Sequence, residues 1–193
     1  MTRLDPHAPL VIDTRELGRR AGAMVRVDRT VPAPGDMGTA VIGVPEGTDI
    51  GLALRLESVI EGVLVSGTAR VSTVGECSRC LDPVVSELVV DLQELYTHPQ
   101  DDDRGRGPRD EDDDDELPAL VGDLLDLEPT LRDAVVLALP LAPLCRDDCP
   151  GLCPDCGARL ADDPAHTHDV VDPRWAALAE LPMNDDVNEK EEG

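Results

Sequence analysis

Residues 50–74 alternate apolar and polar side chains with period two, and the strands this predicts organise the rest of the chain. Leu52, Leu54 and Leu56 stand against Ala53, Arg55 and Glu57, the signature of a half-buried strand. Glu61-Gly62 signals a turn, and Val63, Val65, Ala69, Val71 and Thr73 then resume the alternation. Gly67 within that run reads as a bulge. After a turn carrying Cys77 and Cys80, residues 84–95 read as a further strand whose alternation breaks at Val89-Val90. The pattern is an antiparallel meander with a cysteine pair at the tip of one hairpin.

The best helical signal lies in residues 117–139, where Leu131, Val135, Val136 and Leu139 share one face. Asp126 is the candidate cap, Pro129 falls in the first turn, and Pro140 and Pro143 end the helix and send the chain extended into Cys145. Residues 10–20 read as a short strand entering one or two helical turns, capped by Asp13 or Thr14 and stopped by Gly22. Prolines and glycines make residues 31–49 a loop around the apolar run 40–44, and Asp172-Pro173-Arg174-Trp175 opens a short helix reaching Leu181. The fold class is α+β: an antiparallel β meander, a packed helix and a C-terminal zinc-knuckle region.

Charge divides the chain further. Residues 98–116 hold ten acids against Arg104, Arg106 and Arg109, too much like charge to bury apolar surface, which predicts a disordered loop. The expected organisation is an N-terminal segment and sheet over 1–97, an acidic loop over 98–117, a helix and Cys/His region over 118–181, and a disordered acidic tail over 182–193. The net charge of −24 excludes a protein that coats nucleic acid by neutralising phosphates. Six arginines against four acids in residues 1–29 are the exception, and leave one small patch for RNA. Residues 1–12 lack the apolar core of a secretory signal and no stretch has the length of a membrane span, so the expected location is the cytoplasm.

In a reducing compartment, paired cysteines point to metal or redox chemistry more than to disulfides. Cys77 and Cys80 form one C-x2-C pair, Cys145 and Cys149 a C-x3-C pair, and Cys153 and Cys156 a second C-x2-C followed by Gly157. With His166 and His168 these make eight soft or borderline ligands, enough for two closed tetrahedral Zn2+ sites. Two partitions satisfy the count. Either Cys77, Cys80, Cys145 and Cys149 share one ion and Cys153, Cys156, His166 and His168 the other, or the two C-x2-C turns share one and the remaining ligands the second. The short loop between Cys156 and His166 favours the first. Neither set leaves an open position for water, so the expected role is structural, and no nucleophile, phosphate loop or carboxylate pair marks an enzyme. A thioredoxin-like reading of Cys77/Cys80 needs a helix opening at the motif, which Leu81-Asp82-Pro83 does not supply. The competing class is a redox-switched zinc-thiolate chaperone, because oxidation of such clusters releases metal.

CSRCLDPV from Cys77, LALPLAPLC ending at Cys145, the run C-x3-C-x-GLCPDCG and the closing DPRW resemble the YceD family of large ribosomal RNA subunit accumulation proteins, over about residues 11–181. The resemblance implies a bacterial ribosome-biogenesis factor needed for normal 23S ribosomal RNA and large-subunit assembly, without enzymatic activity. Many members carry C-x-C where this chain has His166-Thr167-His168. An acidic body repels bare RNA, so the expected partner is a basic ribosomal protein or processing factor of the large subunit.

Overall fold

The computed structural model describes residues 4–98 and 117–168, which fall into two compact units, Met1–Cys149 and Pro150–Gly193. The expected acidic loop, the helix opening at Asp172 and the acidic tail lie outside the described residues, apart from the ends of the loop at His98 and Leu117.

In the first unit, β1 (Val11–Asp13) pairs with β8 (Leu124–Asp126) as a separate two-stranded ribbon. The main sheet contains β2 (Met24–Pro32), β3 (Met37–Gly38), β4 (Ile42–Val44), β5 (Asp49–Ser58), β6 (Gly62–Glu76) and β7 (Pro83–Thr97). All pairings are antiparallel, and β6 is the central strand. One of its edges is covered along the full length by β7. The other is shared by β5 over residues 63–70 and by β4 at Val74 and Gly75. The meander β5-β6-β7 matches the period-two pattern, and β2 and the β3-β4 hairpin widen it.

Four local expectations need correction. β2 pairs along all nine of its residues with β5, where the sequence pattern offered no strand before a loop at 31–49. Its core-facing row is Val25, Val27, Arg29 and Val31, set opposite Leu56, Leu54, Leu52 and Ile50, and the arginine interrupts the apolar period. Residues 14–18 make a single turn, not a helix: the Asp13 carboxylate accepts the Arg15 N–H, and Gly18 reverses the chain at φ 65°. Gly67 is no bulge, since the register passes through it unbroken on both sides (Leu54 and Leu92). A Cβ there would lie 2.2 Å from the Ala53 carbonyl oxygen, so the glycine permits close strand approach. The helix α1 (Glu128–Ala138) begins after Leu127, and Asp126 ends β8 while its carboxylate accepts the Glu128 N–H.

One core joins these parts. Ile50, Leu52, Leu54 and Leu56 from β5, Val63, Val65, Ala69 and Val71 from β6, and Val90, Leu92 and Tyr96 from β7 meet Leu131 and Val135 of α1. The Tyr96 hydroxyl, buried with the ring, shares a 2.7 Å hydrogen bond with Thr130, and Arg132 donates to the Gly35 carbonyl while pairing with Glu128. These ties hold α1 across β7 and β3, and aim the chain beyond Leu139 toward the β6-β7 tip. Among the described residues no helix is long and apolar enough to cross a membrane.

Candidate metal centres

The β6-β7 hairpin closes through Cys77-Ser78-Arg79-Cys80-Leu81-Asp82, and its backbone is a tight knuckle. Leu81 N–H donates to the Cys77 carbonyl at 2.9 Å and Cys77 N–H to the Asp82 carbonyl at 2.7 Å. In the second unit, Gly157 N–H donates to the Cys153 carbonyl and Cys153 N–H to the Ala158 carbonyl, both at 2.8 Å. The two turns share one hydrogen-bond pattern. Each needs a left-handed residue just after its second cysteine, supplied by Gly157 at φ 72° and by Leu81 at φ 62°. The leucine masks, in sequence, the equivalence of the two turns.

Below Pro140 the chain passes the first knuckle, and the Ser78 N–H donates to the Pro143 carbonyl at 2.8 Å. Cys145 and Cys149 follow, and the Arg79 guanidinium closes over them with a 2.9 Å bond to the Cys149 carbonyl. Cys77 and Cys149 lie 3.8 Å apart at sulfur, Cys80 and Cys145 3.6 Å, and all four are free thiols. Tetrahedral thiolate ligation at about 2.3 Å from zinc puts sulfurs about 3.8 Å apart, so the set fits one ion. Burial disfavours a charge on Cys77, yet backbone groups of Cys145, Cys80 and Arg79 and the Cys80 thiol hydrogen-bond its sulfur and bring its pKa down to about 6. Burial, then hydrogen bonds to Cys77, Cys149 and Cys145, push Cys80 up to about 12. The enclosure thus favours one thiolate and resists a second until a cation supplies the opposing charge.

The other four ligands converge within the second unit. A small ribbon, with Leu152 bridged to Arg159 and Leu160 N–H donating to the Gly151 carbonyl, presents Cys153 and Cys156 on one side. The Cys153 thiol is lowered, first by the backbone at Cys156, with burial opposing. An Asp163 turn, accepting the Ala165 and His166 N–H groups, returns the two histidines. Nε2 of His166 and of His168 each lie 3.2 Å from the Cys156 sulfur and 2.8 Å from one another. Tetrahedral zinc with this donor set spaces S and N by about 3.5 Å and the two nitrogens by about 3.3 Å, so ligation requires a spread of a few tenths of an ångström.

The grouping is therefore the first partition: Cys77, Cys80, Cys145 and Cys149 together, and Cys153, Cys156, His166 and His168 together, each with its ligand atoms within 4.8 Å of one another. Both sets are positioned to bind a metal ion, and the chemistry of the sulfur-rich donors suits a structural cross-link. Sequence reasoning passed over Arg79 and Leu81, whose roles depend on the matched hydrogen bonds and not on residue type. Two of the six arginines in the expected N-terminal basic patch are in ion pairs: Arg15 pairs with Asp13, and Arg19 lies 3.8 Å from Asp123. Arg29 turns to the core side, where one of its nitrogens donates to the Val11 carbonyl.

A hairpin-tip thiol set on an antiparallel sheet, followed by a short Cys/His knuckle unit, defines an α+β protein with two candidate metal centres. The family model for the large ribosomal RNA subunit accumulation protein YceD matches residues 65–182, and the chain belongs to that family. An uncharacterized protein of Mycobacterium tuberculosis is 45% identical over 174 residues, covering 90% of this chain and 82% of the relative. One from Mycobacterium leprae is 41% identical over 90% of this chain and 78% of its own length. A maize protein named large ribosomal RNA subunit accumulation protein YCED homolog 1, chloroplastic, is 28% identical over 55% of this chain and 41% of its own. No solved structure matches.

Proposed function

We propose that this protein is a non-enzymatic cytoplasmic factor for 23S ribosomal RNA accumulation and large-subunit assembly, stabilised by one zinc ion at each Cys/His set. The supporting observation is the family match across 65–182, a span that contains all eight candidate ligands. Zinc acts here as a cross-link: in the first set it ties the hairpin tip to the segment after α1, and in the second it ties the Cys153 knuckle to the histidine turn. The protein's own charge directs it to a basic large-subunit protein or processing factor, with bare RNA disfavoured by the −24 net charge.

The test is a deletion strain examined on sucrose gradients, with 23S ribosomal RNA measured against 16S. A fall in 50S subunits and in 23S RNA, restored by the wild-type chain, is expected; unchanged profiles remove the proposal. The exposed thiols of Cys145 and Cys156 favour one second reading, a redox-switched chaperone. It requires that peroxide release the metal and create binding to an unfolded client, and oxidised protein that binds no client rejects it.

A further inference from the structure

β7 is the longest unpaired edge in the described sheet. β6 covers one side of it from Gly62 to Glu76, and on the other the only described pairing is a single bridge from Thr97 to Ala119. The remaining backbone donors and acceptors on that edge are a template for another strand. At residues 91–94 the edge opens into a groove of about 670 Å³ whose opposite wall is the first turns of α1, with Leu117 and Pro118 at one end. A strand edge facing a helix across a groove is the geometry by which an extended peptide is added to a sheet.

The charge of the groove selects its occupant. Asp91, Glu94 and Asp133 line it, no lining residue is basic, and none of the three carboxylates has an ion-pair partner among the described residues. β7 carries Glu87, Asp91 and Glu94 and no cationic side chain. Addition of a second copy through β7 would set these acids against their own equivalents, in a chain of net charge −24. The segment that follows β7 is disfavoured on the same ground, because residues 101–116 hold ten acids against Arg104, Arg106 and Arg109. A nucleic-acid phosphate meets the same repulsion.

We propose that the groove between β7 and α1 binds an extended, arginine- or lysine-rich segment of a partner protein as an added β-strand. Main-chain hydrogen bonds to β7 supply the register, and cationic side chains pair with Glu94 and Asp133 on the face toward α1 and with Asp91 on the opposite face. The inference deepens the reading of this protein as a factor that meets a basic large-subunit protein, and rests on it for the partner's identity but not for the groove's chemistry.

The experiment uses the full-length protein and two capped ten-residue peptides, one alternating arginine with valine, the other glutamate with valine. The arginine peptide should bind, weaken several-fold between about 50 and about 300 mM salt, and slow amide exchange at residues 91–94 without slowing it along the outer edge of β2. Asp91→Asn, Glu94→Gln and Asp133→Asn together should weaken it by about tenfold. Equal binding of the glutamate peptide, an unaffected triple variant, or protection confined to other strands would overturn the proposal. Protection of the same amides by a single-stranded RNA oligonucleotide would overturn it as well. The exchange pattern is read on the wild type, so it holds whether or not the variant folds. Normal 50S subunits in the deletion strain would remove the functional reading and leave these peptide results standing, whereas failure of the peptides beside a 23S deficit removes the groove alone.

Discussion

At the scale of single residues, Leu81 carries the clearest conflict between sequence and backbone. It adopts φ 62° with its side chain 61% exposed, so it endures left-handed strain without gaining much burial. Leu81→Gly relieves about 1–2 kcal/mol of that strain at an entropic cost of about 0.5–1 kcal/mol. The expected net is a gain of up to about 1.5 kcal/mol, read as a higher urea midpoint at unchanged slope; a lower midpoint would show that the leucine makes a contact worth keeping. Tyr96, the chain's one tyrosine, gives a second residue-level prediction. Burial pushes its pKa from 10.0 to about 12, against the Thr130 hydrogen bond, which lowers it. The folded state therefore holds the proton more tightly than the unfolded chain. The stability this contributes is complete below pH 10 and lost as pH rises through about 12. Ultraviolet titration of the native protein should place the phenol midpoint well above its ordinary value. A midpoint near 10 would mean that Tyr96 is not enclosed by α1.

Among the elements, β6 is the one on which the others depend, and its glycines mark where neighbouring backbones come too close for a side chain. Gly67→Ala would drive a Cβ to 2.2 Å from the Ala53 oxygen and 2.8 Å from the Leu54 Cα, both backbone atoms of β5. That substitution should cost about 2–4 kcal/mol, measured by denaturant unfolding, while Gly47→Ala, which meets no atom within 4 Å, should cost only its left-handed strain. Equal losses at the two positions would deny the close approach. The strands β5, β6 and β7 were legible because each alternates over many residues, with breaks at Gly67 and at Val89-Val90. β2 was not, because Arg29 stands on its core face and breaks the period while the pairing with β5 continues. The turn at residues 14–18 looked helical from its cap and its spacing, and Asp13 does accept the Arg15 N–H as a cap would, but Gly18 at φ 65° reverses the chain after that single turn.

For the whole molecule, the zinc proposal makes a quantitative claim. Elemental analysis should find two zinc ions per chain, falling to one in Cys77→Ala and to one in Cys156→Ala, because the two ligand sets share no residue. Structural zinc contributes on the order of 10–16 kcal/mol in peptide systems, so chelation should unfold the knuckle in the second unit and release the hairpin tip in the first. Retention of both ions in either variant would break the proposed grouping. Read in order along the chain, the residue types and their spacing were enough to establish the α+β class, the central meander and the helix, and to single out the eight candidate ligands that the fold gathers into two sets, because period, turn residues and cysteine spacing are local properties. Which cysteines meet was a matter for tertiary structure. Cys77 and Cys149 are 72 positions apart, and only the length of β6 and β7, the docking of α1 through Tyr96 and Arg132, and the extended path past Pro143 bring their sulfurs to 3.8 Å. The acidic groove is of the same kind: Asp91, Glu94 and Asp133 come from β7 and α1, and no local pattern could set them facing one strand edge.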